Sequence, residues 1–87
     1  MFHRISAVTT LPGCVLLAHF TDGSARQYDV KPLFDRLAAF RTLADTPALF
    51  EQAAVDTGGY GVVWSDCLDL SSDEIWEHGV PLARSKQ

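Results

Sequence analysis

The sequence predicts an α+β fold: a small, curled antiparallel sheet of about five short, hairpin-linked strands with two or three short helices. Three observations predict it. A strand with two side-chain faces runs from Cys14 into the turn residues Thr21-Asp22-Gly23. A second strand pair is punctuated by Gly58-Gly59, and a helix-start signature stands at Ser71-Ser72-Asp73-Glu74. The chain has 87 residues, enough for one domain and too few for two. Residues 1–82 are expected to form it, with 83–87 as a frayed tail.

Arg4 to Thr10 reads as the first strand, ended by Pro12-Gly13. In the second, Cys14, Leu16, Ala18 and Phe20 share one face, and Val15, Leu17 and His19 share the other. The register of the hairpin that follows can be decided. A two-residue Asp22-Gly23 turn would set Leu16 against Asp29, mixing polar and apolar side chains on one face. A three-residue loop, with a type I turn over Thr21-Asp22 and a left-handed Gly23, pairs Phe20 with Ser24, Leu16 with Tyr28 and Cys14 with Val30. The second register keeps one face mostly apolar and is preferred, because a slip of one residue moves every side chain to the opposite face.

Pro32 can open a helical turn through Leu33, Phe34 and Leu37. Thr46-Pro47 repeats the device, Thr46 as cap, with Leu49 and Phe50 pointing inward. Ala53 to Thr57 and Tyr60 to Trp64 read as a second hairpin, and Cys67 to Leu70 as a short strand. The last helix is predicted to carry a capping box in which Ser71 accepts from the backbone three residues on and Glu74 reaches back. Asp73 and Glu74 complement its dipole, Ile75 and Trp76 point inward, and Gly79 ends it before Pro81.

Composition sets outer bounds on function. Hydrophobic residues make up 47% and charged residues 21%, ordinary for a globular chain. The longest apolar run, Cys14 to Ala18, is far short of a membrane span, and the N-terminus lacks a signal-peptide core, so a cytoplasmic protein with no membrane association is expected. Net charge is −4, unevenly spread. No Lys or Arg occurs from Thr42 to Ala83, a stretch holding Asp45, Glu51, Asp56, Asp66, Asp69, Asp73, Glu74 and Glu77. Such a stretch is either a solvated acidic face or a surface for a basic small protein partner, and it opposes binding to nucleic acid by the chain alone.

No motif for chemistry stands out. Gly58-Gly59-Tyr60-Gly61 lacks the Lys-Ser/Thr and helix start that a phosphate cradle needs, so it reads as hairpin punctuation. Cys14 with His19, or Cys67 with His78, would be the available nucleophile–base pairs; the bland reading makes both thiols small buried hydrophobes. Asp69, Asp73 and Glu77 would be the carboxylates for a divalent cation, the bland reading being a solvated face. Trp64 and Trp76 lack the basic neighbours of a base-stacking platform and read as core. No catalytic, cofactor or metal residue is assigned.

Five pieces in order carry a resemblance. They are Phe20-Thr21-Asp22-Gly23 with Arg26; Asp29-Val30-Lys31-Pro32-Leu33-Phe34; Pro47-Ala48-Leu49-Phe50; Gly59-Tyr60-Gly61-Val62-Val63-Trp64; and Asp69-Leu70-Ser71-Ser72-Asp73-Glu74-Ile75-Trp76. Together they cover nearly the whole chain, which resembles a family of small bacterial proteins catalogued as domain of unknown function 2442. The resemblance implies a small antiparallel sheet with short helices. It also implies a domain that stands alone or is attached to a helix-turn-helix segment, and that in some relatives serves as the antitoxin-like half of a two-protein pair. The chain stops soon after its capped helix, so no appended DNA-reading domain is expected.

The expected function is a non-enzymatic interaction or regulatory module. The rival is a metal- or small-molecule-dependent enzyme using His and carboxylate side chains. A homodimer is expected through the hairpin's second face, with Val15, Leu17 and His19 as interface residues, unless the helix from Pro32 to Leu37 folds over that face. Gly23, Ser71 and Glu74 are expected as turn and cap residues.

Overall fold

A computed structural model describes residues 3–65 and 68–82. Strands β1 (Ile5–Leu11), β2 (Val15–Phe20) and β3 (Ala25–Asp29) form a meander, and β7 (Val80–Pro81) adds to it, giving one sheet in the order β1-β2-β3-β7. Strands β4 (Ala54–Val55), β5 (Gly61–Ser65) and β6 (Leu68–Ser71) form a second antiparallel sheet. The α+β class holds, but the single curled sheet expected from the sequence is divided in two.

The β2–β3 hairpin adopts the register chosen on polarity. Leu16 faces Tyr28, the Phe20 N–H donates to Ser24 O at 2.8 Å, and the Val30 N–H donates to Cys14 O at 3.0 Å. Gly23 has φ +93° and its N–H donates to Phe20 O, the left-handed residue that closes a three-residue loop. The first hairpin differs from expectation at its tip. Cys14 is a turn residue with φ +59°, and β2 begins at Val15.

A bulge in β1 decides which side Ile5 faces. Ile5 opposes Phe20 whereas Ala7 opposes His19, so Ser6 is the extra residue, and its hydroxyl donates to His19 O at 3.1 Å. Without it Ile5 and Ala7 would share a face; with it Ile5 turns inward and is buried while Ala7 stays outside. One core results, joining Ile5, Leu16, Ala18, Phe20, Tyr28 and Val30 to Leu33, Phe40, Leu43, Phe50, Val62, Trp64, Leu68, Leu70 and Ile75.

The middle of the chain is more helical than the sequence suggested. Helix α1 (Lys31–Arg36) begins one residue before Pro32, which lies in its first turn, and Leu37 lies just past its end and is exposed. A 3₁₀ turn (Ala38–Phe40) and α2 (Arg41–Asp45) follow without any cap signal, and α3 (Pro47–Phe50) begins without a side-chain cap from Thr46. What fixes these short turns is tertiary packing of Phe40, Leu43 and Phe50. Phe40 and Phe50 both pack against Trp64, whose indole N–H donates to Phe50 O at 3.0 Å.

Helix α4 (Ser72–His78) starts on Ser71, whose hydroxyl accepts from the Glu74 N–H at 3.1 Å. The reciprocal half of the capping box gives way to a longer-range contact. The Glu74 carboxylate accepts from Tyr28 OH at 2.9 Å and pairs with His78 Nδ1 at 3.2 Å. Ile75 is fully buried; Trp76 is half-buried, with the Arg26 guanidinium 3.9 Å from its ring and the His3 ring stacked at 3.7 Å. Gly79 is extended at φ −77°, and a Cβ there would lie 2.5 Å from Ile75 O, so the chain passes from α4 into β7 through a gap only glycine fits. Strand β7 itself carried no sequence signal.

Candidate functional site

The meander has two faces, and the core occupies one. Residues pointing the other way fall into three rows across the strands: Leu11, Val15 and Asp29; Thr9, Leu17, Gln27 and Val80; Ala7, His19, Ala25 and Leu82. Leu82 joins the last row because its N–H donates to Ala25 O at 3.0 Å. Every one of these eleven side chains remains in contact with solvent, Leu11, Val15, Leu17 and Ala25 half-buried among their neighbours and the rest exposed. Helix α1 does not fold over this face. Its Leu33 belongs to the same core as Leu16 and Val30, on the inner side.

The expected interface residues therefore sit together. Leu17 lies between Thr9 and Gln27 in the middle row, with Val15 and His19 two residues away along the same strand and face. Seven of the eleven are apolar, and the ionisable ones are His19 and Asp29. Asp29 is already engaged, its carboxylate 2.8 Å from Lys31 Nζ and accepting from the Lys31 N–H at 3.0 Å. Desolvation works against that carboxylate, but the two hydrogen bonds from Lys31 and its charge outweigh it and hold the group below its ordinary pKa. Depletion of charge distinguishes interface centres from ordinary surface more reliably than hydrophobicity does. The sequence carried part of this surface in its alternation. It did not carry Val80 and Leu82, because a two-residue strand has no period to read.

Of the candidate chemical pairs, Cys14 and His19 are not brought together. Cys14 is in the turn beside Val30, whereas His19 lies at the far end of β2 between Ala7 and Ala25 on the outer face, five residues and so roughly 16 Å along the chain at ~3.3 Å per residue. Cys67 lies outside the described residues. Asp69, Asp73 and Glu77 do not converge, and no group of three or more metal-ligating side chains forms among the described residues. Cys14 is half-buried rather than sealed, lining a cleft of about 580 Å³ between the first hairpin tip and Pro47, Phe50 and Glu51. Gly58 and Gly59 perform a structural task, as their carbonyls accept from Arg4 Nε at 2.9 Å and the Ile5 N–H at 2.8 Å, tying the second sheet's hairpin to β1. Trp64 is a core residue at 6% exposure, held by Phe40 and Phe50.

The acidic half is exposed at Asp45, Glu51, Asp69, Asp73 and Glu77, on the helical and second-sheet side of the molecule. No helix among the described residues is long and apolar enough to cross a membrane.

Two antiparallel sheets sharing one core with short helices, one sheet face left open, make this a small α+β fold. The chain belongs to the family described as Protein of unknown function (DUF2442), which matches residues 5–81. Neither a curated protein nor a solved structure matches it.

Proposed function

We propose that this chain is a cytoplasmic, non-enzymatic protein-interaction module, a regulatory or antitoxin-like partner of another small protein, which assembles as a homodimer through the outer face of the meander. The observation that carries the reading is the open face itself: rows of apolar side chains centred on Leu17, with Val15 and His19 beside it. A domain this small cannot cover every apolar surface it makes, and identical chains hide a shared patch through one two-fold contact. The exposed acidic side chains lie elsewhere, where a basic partner would be drawn by charge, leaving this face for self-association. The antitoxin-like role is supported by the five-piece resemblance alone. The acidic half also argues against phosphate backbone as a ligand.

Light scattering on the purified chain tests the reading, with Leu17→Glu as the probe. A dimer at about 100 μM, a level at which even ~10 μM affinities are seen, dissociated by Leu17→Glu, is the expected result. A monomer at that concentration, or a dimer indifferent to Leu17→Glu, refutes it.

A further inference from the structure

The outer face has a contributor that strand alternation in the meander does not reveal. From the register of β3 with β7, Val80 stands opposite Gln27 and Leu82 opposite Ala25, so both side chains join the outer rows. They are among its most exposed large apolar groups, at 62% and 37%. We infer that the segment after α4 is half of the self-association surface: Val80 and Leu82 contact the second copy of this chain, and α4 serves to hold them there. The inference rests on the dimer reading above and names residues that reading does not require.

Geometry, area and charge point to a second copy. Two sheets of this kind can associate edge to edge or face to face. The β7 edge is two residues long and includes Pro81, which offers no N–H, so a strand from another chain gains little by adding there. At the β7 end of the sheet face-to-face contact remains; the opposite edge, β1, is seven residues long and carries neither Val80 nor Leu82. Without β7 the outer face is three strands wide, ~14 Å at ~4.8 Å per strand; with β7 it is ~19 Å. Stable complexes bury about 800 Å² on each partner, and the exposed Val80 and Leu82 add apolar surface toward that figure on the β3 side of the face. An isologous contact also lays a patch against itself, so a patch rich in one charge would repel its copy. This one carries Asp29, already paired with Lys31, and His19, although the chain as a whole is at −4.

The anchoring of β7 is built in. The Gly79 N–H donates to Ile75 O at 2.8 Å and Arg26 Nη1 donates to Trp76 O at 2.6 Å. The outgoing chain is thereby fixed against β3 from both the helix and the strand side. Arg26 faces inward from β3, so one residue holds the end of α4 while its strand neighbours Ala25 and Gln27 receive Leu82 and Val80.

Sedimentation velocity over a concentration series on the full chain tests the inference, comparing wild type, Leu17→Glu, the double variant Val80→Ser/Leu82→Ser, and Gln27→Arg. Circular dichroism on each verifies folding. Gln27→Arg stands between Leu17 and Val80 on an exposed position and keeps the test open should the double variant unfold. The expected result is a dissociation constant raised at least tenfold by both the double variant and Gln27→Arg. A folded double variant, or Gln27→Arg, that dimerises like wild type while Leu17→Glu is monomeric overturns this inference and leaves the dimer reading standing. A dimer unaffected by Leu17→Glu, or a monomeric wild type, overturns both.

Discussion

The two faces of β2 are built from similar residues and meet opposite fates. Leu16, Ala18 and Phe20 are buried, while Val15 and Leu17, no less apolar, stay in contact with solvent. The difference lies in what packs opposite. The helical residues Leu33, Leu43, Phe50 and Ile75 and the second sheet's Val62 and Leu70 all join the core on the Leu16 side. Alternation along a strand therefore tells which residues share a face, and the rest of the chain decides which face is covered. In a short chain the second question has only one affordable answer, since there is a single extra layer to place.

The sharpest way to break this comparison is to truncate neighbours on the two faces. Leu16→Ala empties a fully buried site and is expected to cost about 2–5 kcal/mol. Leu17→Ala in dilute, monomeric protein is expected to cost less than ~1 kcal/mol, as a surface truncation. Urea unfolding measures both, and equal costs would mean that the outer face is packed against something in the monomer.

The next test concerns the joint that brings the second sheet onto the inner side. Gly59 has φ +82°, and a Cβ there would sit 2.6 Å from the Ile5 carbonyl oxygen that its backbone crosses. Gly59→Ala is expected to cost about 2–3 kcal/mol, through left-handed strain and a contact with backbone that cannot move aside. A cost near zero would show that the β1 contact is dispensable for placing the layer. Ser71→Ala removes the α4 cap and is expected to cost about 1 kcal/mol, read as a shift in urea midpoint at unchanged slope.

The hairpins and α4 were legible in the sequence because local signals specify them. Asp22-Gly23 with polarity on both strands fixes one register, and Ser71 placed before Asp73-Glu74 fixes one helix start. What was illegible depended on distant partners. The 3₁₀ turn and α2 exist because Phe40 and Leu43 reach a core built from both sheets. Glu74 abandons its reciprocal cap because Tyr28, 46 residues away, offers a hydroxyl. Trp76 reads as core by type, yet it is half-buried and carries Arg26 and His3 on its ring. The open face was half legible: Val15, Leu17 and His19 follow from alternation, whereas Val80 and Leu82 depend on how α4 docks.

The smallest expected effects come from two titrating neighbours on opposite faces, Tyr28 and Asp29. Tyr28 points inward, and burial, then its hydrogen bond to Glu74 and that carboxylate's charge, hold its phenol far above the ordinary value. The folded chain keeps this proton while the unfolded chain releases it near pH 10. Stability is therefore present below that pH and falls as pH rises beyond it, and Tyr28→Phe should flatten the alkaline loss. An alkaline slope unchanged by Tyr28→Phe would mean the phenol is not held protonated. Asp29 points outward and its sign is reversed. Its folded carboxyl is held low by Lys31, so the contribution is present above the ordinary carboxylate value of about 3.9 and is lost as pH falls through the folded value. The ion pair is half exposed on both sides, and screening by solvent limits Asp29→Asn to under ~0.5 kcal/mol at neutral pH. Urea midpoints of wild type and Asp29→Asn should therefore differ slightly at pH 7 and draw together as pH falls below the ordinary carboxylate value. A difference that does not shrink with falling pH would mean the carboxylate's charge is not what Lys31 reads. The asparagine would then be failing on the hydrogen bond to the Lys31 N–H, a defect of α1's first turn instead of the outer face.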